Sequence, residues 1–456
     1  MLTIEYIKNH QEEVKKNIIQ RGFDSKKCDI EKLLSLETEK NRVQTEVDNL
    51  RQKRNENSDS IKNSNAKPTP ELIAVGKGLK ESIARQEVEL EGIKKNWREI
   101  MGWIPNMASV DSPIGSGPED NIEIKAWSKQ TGMLVSGQLS KANGSAQNIY
   151  QFGSNADKEF VPLSHWEIGK NLDIIDLEAG AKVSGSRFYY LKKEGYLMMY
   201  GIFDLLMKKL LADNFIPMYV PLLVKTRALF GSSQFPADQD QIYKIAKENV
   251  EDNNSLYLVG SSEPSLFSYY QDTLQKENDL PIKMFATTPC FRSEAGSWGK
   301  DVRGIKRMHQ FEKMEMDIIT KNNMEETIKI HEYLLSINEW LLQTLELPYH
   351  VINICTGELG YAAASKKYDV EVFLPNSKSY IEIMSNSLTT DFQSRRLNIK
   401  YLNQNNEKNF VYTLNNTGAT HRLLIAILEH YQQSDSTIMV PAVLKPYINK
   451  EYIGKI

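Results

Sequence analysis

Apolar residues return at heptad spacing through the first hundred positions. Leu36, Val43, Val47 and Leu50 make one run. Leu72, Leu79, Ile93 and Ile100 hold one seam position of a second run, and Ile83, Leu90 and Trp97 hold the other. The intervening positions are charged, with acidic and basic residues in balance, so the spacing predicts two long helices with one narrow apolar stripe each. Between the runs lies NENSDSIKNSNAKPTP, where Pro68 and Pro70 block helix continuation. The two helices therefore fold back as an antiparallel hairpin. Thirty helical residues reach about 45 Å. A two-helix hairpin has too thin a core for a catalytic cleft, so residues 29–100 read as a projecting arm; on pattern alone a dimerising coiled coil fits as well.

At GWIPNMASVDSPIGSGPEDN (Gly102 to Asn121) the helical pattern ends in Pro, Gly and Ser. This sets three regions: 1–105 with the arm, a linker 106–164 that holds a polar insertion at about 129–160 (loop or short hairpin), and 165–456. The last region alternates helical and extended patterns. Gly201–Asp213, Met324–Leu345 and His421–Gln433 read as helices. FIPMYVPLLV (215–224), LYLVGSSE (256–263), IKMFATTPCFRSE (282–294), MHQFEKMEMDII (308–319), YDVEVFLP (368–375) and YIEIMSNS (380–387) read as extended. Strands joined by tight loops imply an antiparallel sheet flanked by helices, an α+β fold. Neither GxGxxG nor GxxxxGK[ST] occurs, so dinucleotide and P-loop sites are not supported.

Composition narrows the class. The chain has 456 residues, 41% hydrophobic and 25% charged, a globular balance that excludes disorder over most of its length. Fifty-six basic against 59 acidic residues leave a net charge of −3, which argues against DNA and confines any nucleic-acid binding to local patches. No run approaches the ~20 apolar residues of a membrane span, and MLTIEYIKNHQEEVKK resembles no signal or transit peptide. Cys28, Cys290 and Cys355 are far apart; they suggest packing in a reducing cytoplasm rather than disulfides or zinc. His165, His331, His350 and His430 share no metal-ligand spacing, and His309 reads as structural.

The densest chemistry lies in Cys290–Met316, CFRSEAGSWGKDVRGIKRMHQFEKMEM. Arg292 and Glu294, two apart, should share one strand face, as should Phe311 and Glu315 on the returning strand, with Met314, Met316 and Ile318 turned the other way. The connecting loop adds Lys300, Arg303, Lys306 and Arg307. A guanidinium, two carboxylates and an aromatic plane suit a nucleotide's phosphate, amino edge and base. A solvated charged hairpin is the plain alternative.

These residues closely resemble motif 2 of class II aminoacyl-tRNA synthetases in the form found in seryl-tRNA synthetases of bacterial/eukaryotic type. Other segments resemble the same family in the same order: QTEVDNLRQKRN (44–55) its arm, VSGSRFYYL (183–191) and PLLVKTRALFGSSQFP (221–236) its motif 1 region, TGELGYAAASKKYDVEVFLP (356–375) with YIEIMSNS, and HRLLIAILEHYQQSDSTIMVPAVLKPYI (421–448) its motif 3 and tail. The resemblance implies a serine–tRNA ligase. Such an enzyme activates L-serine with ATP to seryl-adenylate and pyrophosphate, then transfers serine to the 3′ end of tRNA(Ser); use of tRNA(Sec) is left open. It implies a cytoplasmic homodimer through about 200–236, with no membrane or DNA partner.

Residue by residue, the resemblance gives Arg292 and Arg422 the catalytic charge contacts. It places ATP against Arg292, Ser293, Glu294, Arg303, Arg307, Met308, Phe311, Glu382, Ile383, Met384, Ser385 and Arg422, with Mg2+ on Glu382 and Ser385. Serine falls to Ser261, Ser262, Glu263, Arg292, Glu315, Asn415 and Thr417. The sequence departs from the family pattern in three ways. NNTGATHR (415–422) is one residue shorter than the usual loop, with Asn416 and His421 where glycine is common; Met384 and Asn386 replace small residues; Ser261 replaces threonine. A non-catalytic paralogue that binds RNA or a protein, and a ligase that loads a carrier protein, are the competing readings. The charged set opposes the first and the long arm the second.

Overall fold

The computed structural model describes residues 1–63, 69–135, 160–246, 255–295 and 303–454. Pro68, Lys300 and positions 136–159 of the expected insertion lie outside them. The chain divides into two compact units, Met1–Pro105 and Asn106–Ile456.

The first unit is helical: α1 (Ile4–Asn9), α2 (Gln11–Gln20), α3 (Ile30–Asn63) and α4 (Pro70–Trp103). Thr69 caps α4 by accepting the Leu72 N–H, with Pro70 at the first helical position, where its missing N–H costs nothing. Val43 and Val47 bury against Leu90 and Ile93, with Leu36 beside them. Lys40 lies 4.5 Å over the Trp97 ring, Arg51 pairs with Glu87 at 2.7 Å, and Asn57 donates to the Leu72 carbonyl at 3.3 Å. Partners that advance along α3 retreat along α4, so the helices are antiparallel. The heptad reading placed the hairpin; the connector is shorter than that reading has it. Helix α3 continues through NENSDSIKN, because Asn57 gains a partner on α4 that outweighs the weak helix preference of Asn and Ser.

The second unit is built on nine strands: β1 (Ile122–Ser128), β2 (Gly132–Val135), β3 (Ile216–Pro217), β4 (Ile282–Phe291), β5 (Gln310–Thr320), β6 (Tyr349–Asn353), β7 (Lys366–Leu374), β8 (Ser379–Thr390) and β9 (Tyr412–Thr420). Their order is β2-β1-β6-β7-β8-β9-β5-β4-β3. All pairs are antiparallel except β3 with β4. The helices that position the site are α5 (His165–Asn171), α6 (Lys193–Ala212), α7 (Glu263–Ser268), α8 (Met324–Thr344), α9 (Phe392–Leu397) and α10 (Arg422–His430). One sheet face meets α6, α8 and α10 in the main core, where Met314, Met316 and Ile318 of β5 lie with Leu206, Leu341 and Leu424. The opposite face carries polar side chains. Every residue of α10 from Leu423 to His430 is buried, so packing on all sides fixes this short helix.

Four strands of the main sheet escaped the sequence pattern. The segment 106–164 supplies β1 and β2 rather than only a linker, and buried Asn106 donates to the Ala363 and Thr389 carbonyls, both at 2.9 Å. Strand β6 was not anticipated. The fourth is β9, where Asn415–Thr420 was expected to be a loop. Helix α6 also begins earlier, at Lys193, and takes in GYLMMYGIF; a short helix, Lys445–Ile448, follows α10.

A buried histidine ties β1, β6 and β7. His350 meets Glu123 at 2.9 Å through Nδ1 and Glu371 at 2.8 Å through Nε2, and its ring stacks on Tyr380 at 3.9 Å. Burial alone would favour the neutral ring, but the two carboxylates outweigh it and raise the imidazole's pKa. The charged form is therefore favoured in the folded state. Its stabilisation is complete below the unfolded value of about 6.5 and is lost as pH rises through the folded value. We expect His350→Gln to lose about 2 kcal/mol at pH 6 and clearly less at pH 9, read by urea unfolding at both pH values.

Candidate active site

The polar sheet face depends on two register shifts. On β8, Glu382 pairs with Glu371 and Met384 with Val370, leaving Ile383 as the extra residue. Side chains alternate along a regular strand, so Glu382 and Ser385, three apart, would point to opposite faces. The bulge at Ile383 brings both to the cleft. On β9, Thr417 pairs with Glu315 and Ala419 with Met314, which makes Gly418 the extra residue. Thr417 and Thr420 thereby face the same cavity. A Cβ at Gly418 would sit 2.8 Å from Leu206 Cδ2, so glycine lets the bulge lie close to α6.

Two adjoining cavities open on this face. The smaller, about 90 Å³, is lined by Arg292, Glu294, Lys306, Arg307, Met308, Phe311, Ile383, His421 and Arg422, among others. The larger, about 490 Å³, includes Ser261, Glu263, Glu315, Ser385, Asn415 and the half-buried Tyr361. Arg292, Glu294, Arg307, Lys313, Glu382 and Thr417 border both. The Arg292 guanidinium lies 5.3 Å from the Phe311 ring centroid, and its Nε donates to the Gly260 carbonyl at 3.3 Å. Arg422, the first residue of α10, donates to the Glu382 carbonyl at 2.7 Å and to the Lys306 carbonyl at 3.3 Å; its N–H reaches Thr420 Oγ1 at 3.2 Å. A guanidinium and a helix N-terminus thus converge at one end of the smaller cavity, an arrangement suited to an anion.

The larger cavity is acidic. Glu315 accepts from Ser261 Oγ at 2.9 Å and contacts Lys313, which also donates to Ser261 Oγ at 3.2 Å. Glu263 Oε1 accepts from Gln393 at 2.6 Å and Asn415 at 2.9 Å. Burial and then the neighbouring Glu315 charge push the Glu263 carboxyl up, against the pull of Gln393, Lys313 and Asn415. Burial acts upward on Glu382 too, but Arg422, Lys367, Arg292 and Lys313 outweigh it and hold its carboxyl below the usual value. The fold thus lowers the proton affinity of one carboxyl, Glu382 at the border of the two cavities, and raises that of another, Glu263 in the larger one.

Several expected residues are placed otherwise. Strand β4 ends at Phe291, and Glu294 follows in a left-handed conformation (φ 51), so Arg292 and Glu294 do not share a strand face; a turn brings both to the cleft. Arg303 is exposed and lines neither cavity. Ser293 turns away to donate to the Asp240 carbonyl. Met384 packs in the main core, because the bulge reverses the alternation just before it. Ser262 lies beneath the start of α7, fully buried, its hydroxyl without a partner among the described residues. Sequence reasoning missed Lys313, although alternation with Phe311 and Glu315 places it between them on the same face. It also missed Tyr361, Gln393 and Lys367, which come from a loop, helix α9 and strand β7 with no shared spacing.

Comparison with known proteins agrees with this geometry. Residues 1–108 match the seryl-tRNA synthetase N-terminal domain, and 243–431 match the tRNA synthetase class II core domain (G, H, P, S and T). A serine–tRNA ligase of Dictyoglomus thermophilum is 37% identical over 450 residues, 98% of each chain. One of Pyrococcus horikoshii is 35% identical over 98% of this chain and 96% of that one. The crystal structure of seryl-tRNA synthetase from Pyrococcus horikoshii complexed with ATP matches over the full length of both chains, at TM-score 0.84 and 34% identity. That of the cytoplasmic serine–tRNA ligase from Naegleria fowleri in complex with AMP matches at 0.78 and 25%, over 99% and 98% of the two chains.

Proposed function

The chain belongs to the seryl-tRNA synthetase family, and from that premise we infer how its cleft performs the serine–tRNA ligase reaction. Convergence of Arg292, Phe311, Glu382 and Arg422 on one cavity beside the acidic pocket carries the reading. ATP lies in the smaller cavity with adenine on Phe311, its amino edge toward Glu294 and the Met308 backbone. Arg422 holds the γ-phosphate end, and Arg292 bridges the α-phosphate and the serine carboxylate. Serine's ammonium enters the acidic pocket at Glu315 and Ser261, and its hydroxyl faces Glu263, Asn415 and Thr417. A buried partner for the hydroxyl rejects alanine, which would leave polar groups unpaired.

The serine carboxylate oxygen attacks the α-phosphorus, the α–β phosphoanhydride bond breaks, and pyrophosphate leaves. A ribose hydroxyl at the tRNA 3′ end then attacks the seryl carbonyl carbon and AMP departs. This chain's side chains orient the reactants and neutralise charge at the α-phosphate, with no protein nucleophile. Glu382, about half exposed in the cleft, lies on the same face as Ser385, and these two would hold a magnesium ion. When bound, that ion supplies charge neutralisation on the phosphates.

The hairpin α3–α4 supports tRNA binding. Each helix has 34 residues, about 50 Å, and Lys53, Arg54 and Lys95 are exposed on it for phosphate contacts. Exposed Tyr196, Tyr200, Leu211, Ile216 and Tyr219 around α6 and β3 support a homodimer through this surface. The cytoplasm is the compartment we assign, on the three buried free cysteines and the protein-synthesis role.

The test is serine-dependent exchange of pyrophosphate into ATP. Wild type should exchange with serine and far less with alanine. Arg292→Ala should stay folded and lose at least about a hundredfold in rate, the scale of one transition-state charge contact. Near-normal exchange by the folded variant would remove Arg292 from the chemistry. Sedimentation at micromolar concentration should give about twice the 52.2 kDa chain mass; a single-chain mass would contradict the dimer.

A further inference from the structure

We propose that His165 and His421 are positioning residues for the nucleotide: together they grip the peptide group of Ile305 and thereby set Lys306, Arg307 and Met308 on the wall of the ATP cavity. This rests on the assignment of that cavity to ATP.

The Ile305 N–H donates to His165 Nε2 at 3.1 Å, and the Ile305 carbonyl accepts from His421 Nε2 at 2.7 Å. Both polar groups of one residue are thus held by imidazoles from different helices: His165 opens α5, and His421 immediately precedes α10. The tautomers follow from the partners. Glu429 Oε1 lies 3.2 Å from both the His165 N–H and His165 Nδ1, so Nδ1 carries the proton and Nε2 is left to accept. His421 must carry its proton on Nε2 to donate. All three are buried, with Ile305 and His421 at 0% and 3% exposure and His165 at 2%, so neither bond has water as a ready substitute.

The clamp lies where it controls the nucleotide wall. The next residue's carbonyl, Lys306 O, accepts from Arg422 at 3.3 Å. Arg422 itself follows His421, so one turn of chain fastens two consecutive peptides of the loop. His421 also packs against Phe311, with ring centroids 5.4 Å apart, and touches the base platform as well as the loop. Gly304 shows how tightly the loop is drawn in: it adopts φ 76, and a Cβ there would lie 2.0 Å from His165 Nε2. Burial and then the Arg422 charge drive the His421 pKa down to about 3, so the ring stays neutral and adds no second positive charge beside that arginine. His421 stands at a position expected to be glycine, which has no side chain with which to make this bond.

The experiment measures ATP and serine separately in His421→Ala, His421→Gln and Gly304→Ala. ATP affinity is read by calorimetry on the full chain, which needs no turnover, and KM for each substrate by pyrophosphate exchange. His421→Ala should weaken ATP about tenfold, the scale of one buried hydrogen bond left unmade, with serine KM and kcat within about twofold. His421→Gln keeps an N–H that can reach Ile305 and should recover most of the ATP affinity. Gly304→Ala should reproduce the ATP defect with His421 intact, and it decides the matter alone if His421→Ala does not fold. ATP affinity unchanged in folded Ala variants, or equal losses for ATP and serine, would overturn the clamp. Loss of serine-dependent exchange in wild type, with ATP binding intact, would strike the ligase assignment and leave the clamp to be judged by calorimetry.

Discussion

Strand β5 imposes the governing constraint: it must bury charge on one face and hydrocarbon on the other. Met314, Met316 and Ile318 anchor it to the main core. That fixes Phe311, Lys313, Glu315 and Asp317 on the opposite face, the last three 8%, 2% and 0% exposed. Lys313 is the cation set among the carboxyls of Glu315, Glu263 and Asp317. Ionising all three carboxyls against it would leave buried negative charge, at a penalty of several kcal/mol per ion. Burial and then the neighbouring carboxylates raise the proton affinity of both Glu263 and Asp317, which eases that conflict. Neither Asp317 oxygen has a hydrogen-bond partner among the described residues. The pocket is therefore a carboxyl cluster around one lysine, and in the proposed reading serine's α-ammonium group adds positive charge to it.

The remaining architecture serves that face. A sheet of regular strands could not turn Glu382 with Ser385, or Thr417 with Thr420, into one cleft. The bulges at Ile383 and Gly418 do so, and α10, buried from Leu423 to His430, delivers Arg422 to its edge. The charges proposed to bind phosphate and the carboxylates proposed to bind the ammonium thus sit next to each other, and Arg292 borders both cavities, where the proposed reaction brings serine's carboxylate to the α-phosphate.

What the sequence could tell follows the same physics. The two faces of β5 were legible because strand alternation and apolar burial agree there, and the heptads of α3 and α4 were legible because a narrow apolar stripe needs a partner. Strand β9 was not. NNTG is turn chemistry locally, yet β5 on one side and β8 on the other supply hydrogen bonds to its backbone and override that preference. The bulges left little trace beyond Gly418, and without them Met384 was assigned to the nucleotide although it points to the core. Lys313 was legible by spacing and overlooked. Gln393 and Tyr361 were not, because only the folded chain brings them to Glu263 and Asn415.

The claim that the serine pocket is a carboxyl cluster completed by the substrate's ammonium group predicts a proton count. Calorimetric titration of L-serine at pH 7, in two buffers of different ionisation enthalpy, reads it directly. Adding a positive charge near Glu263, whose proton affinity burial raises, lowers that affinity, so binding should release a measurable fraction of a proton, and more at pH 6.5 than at pH 9. Serine binding with no proton change between the buffers, or with proton uptake, would contradict the account.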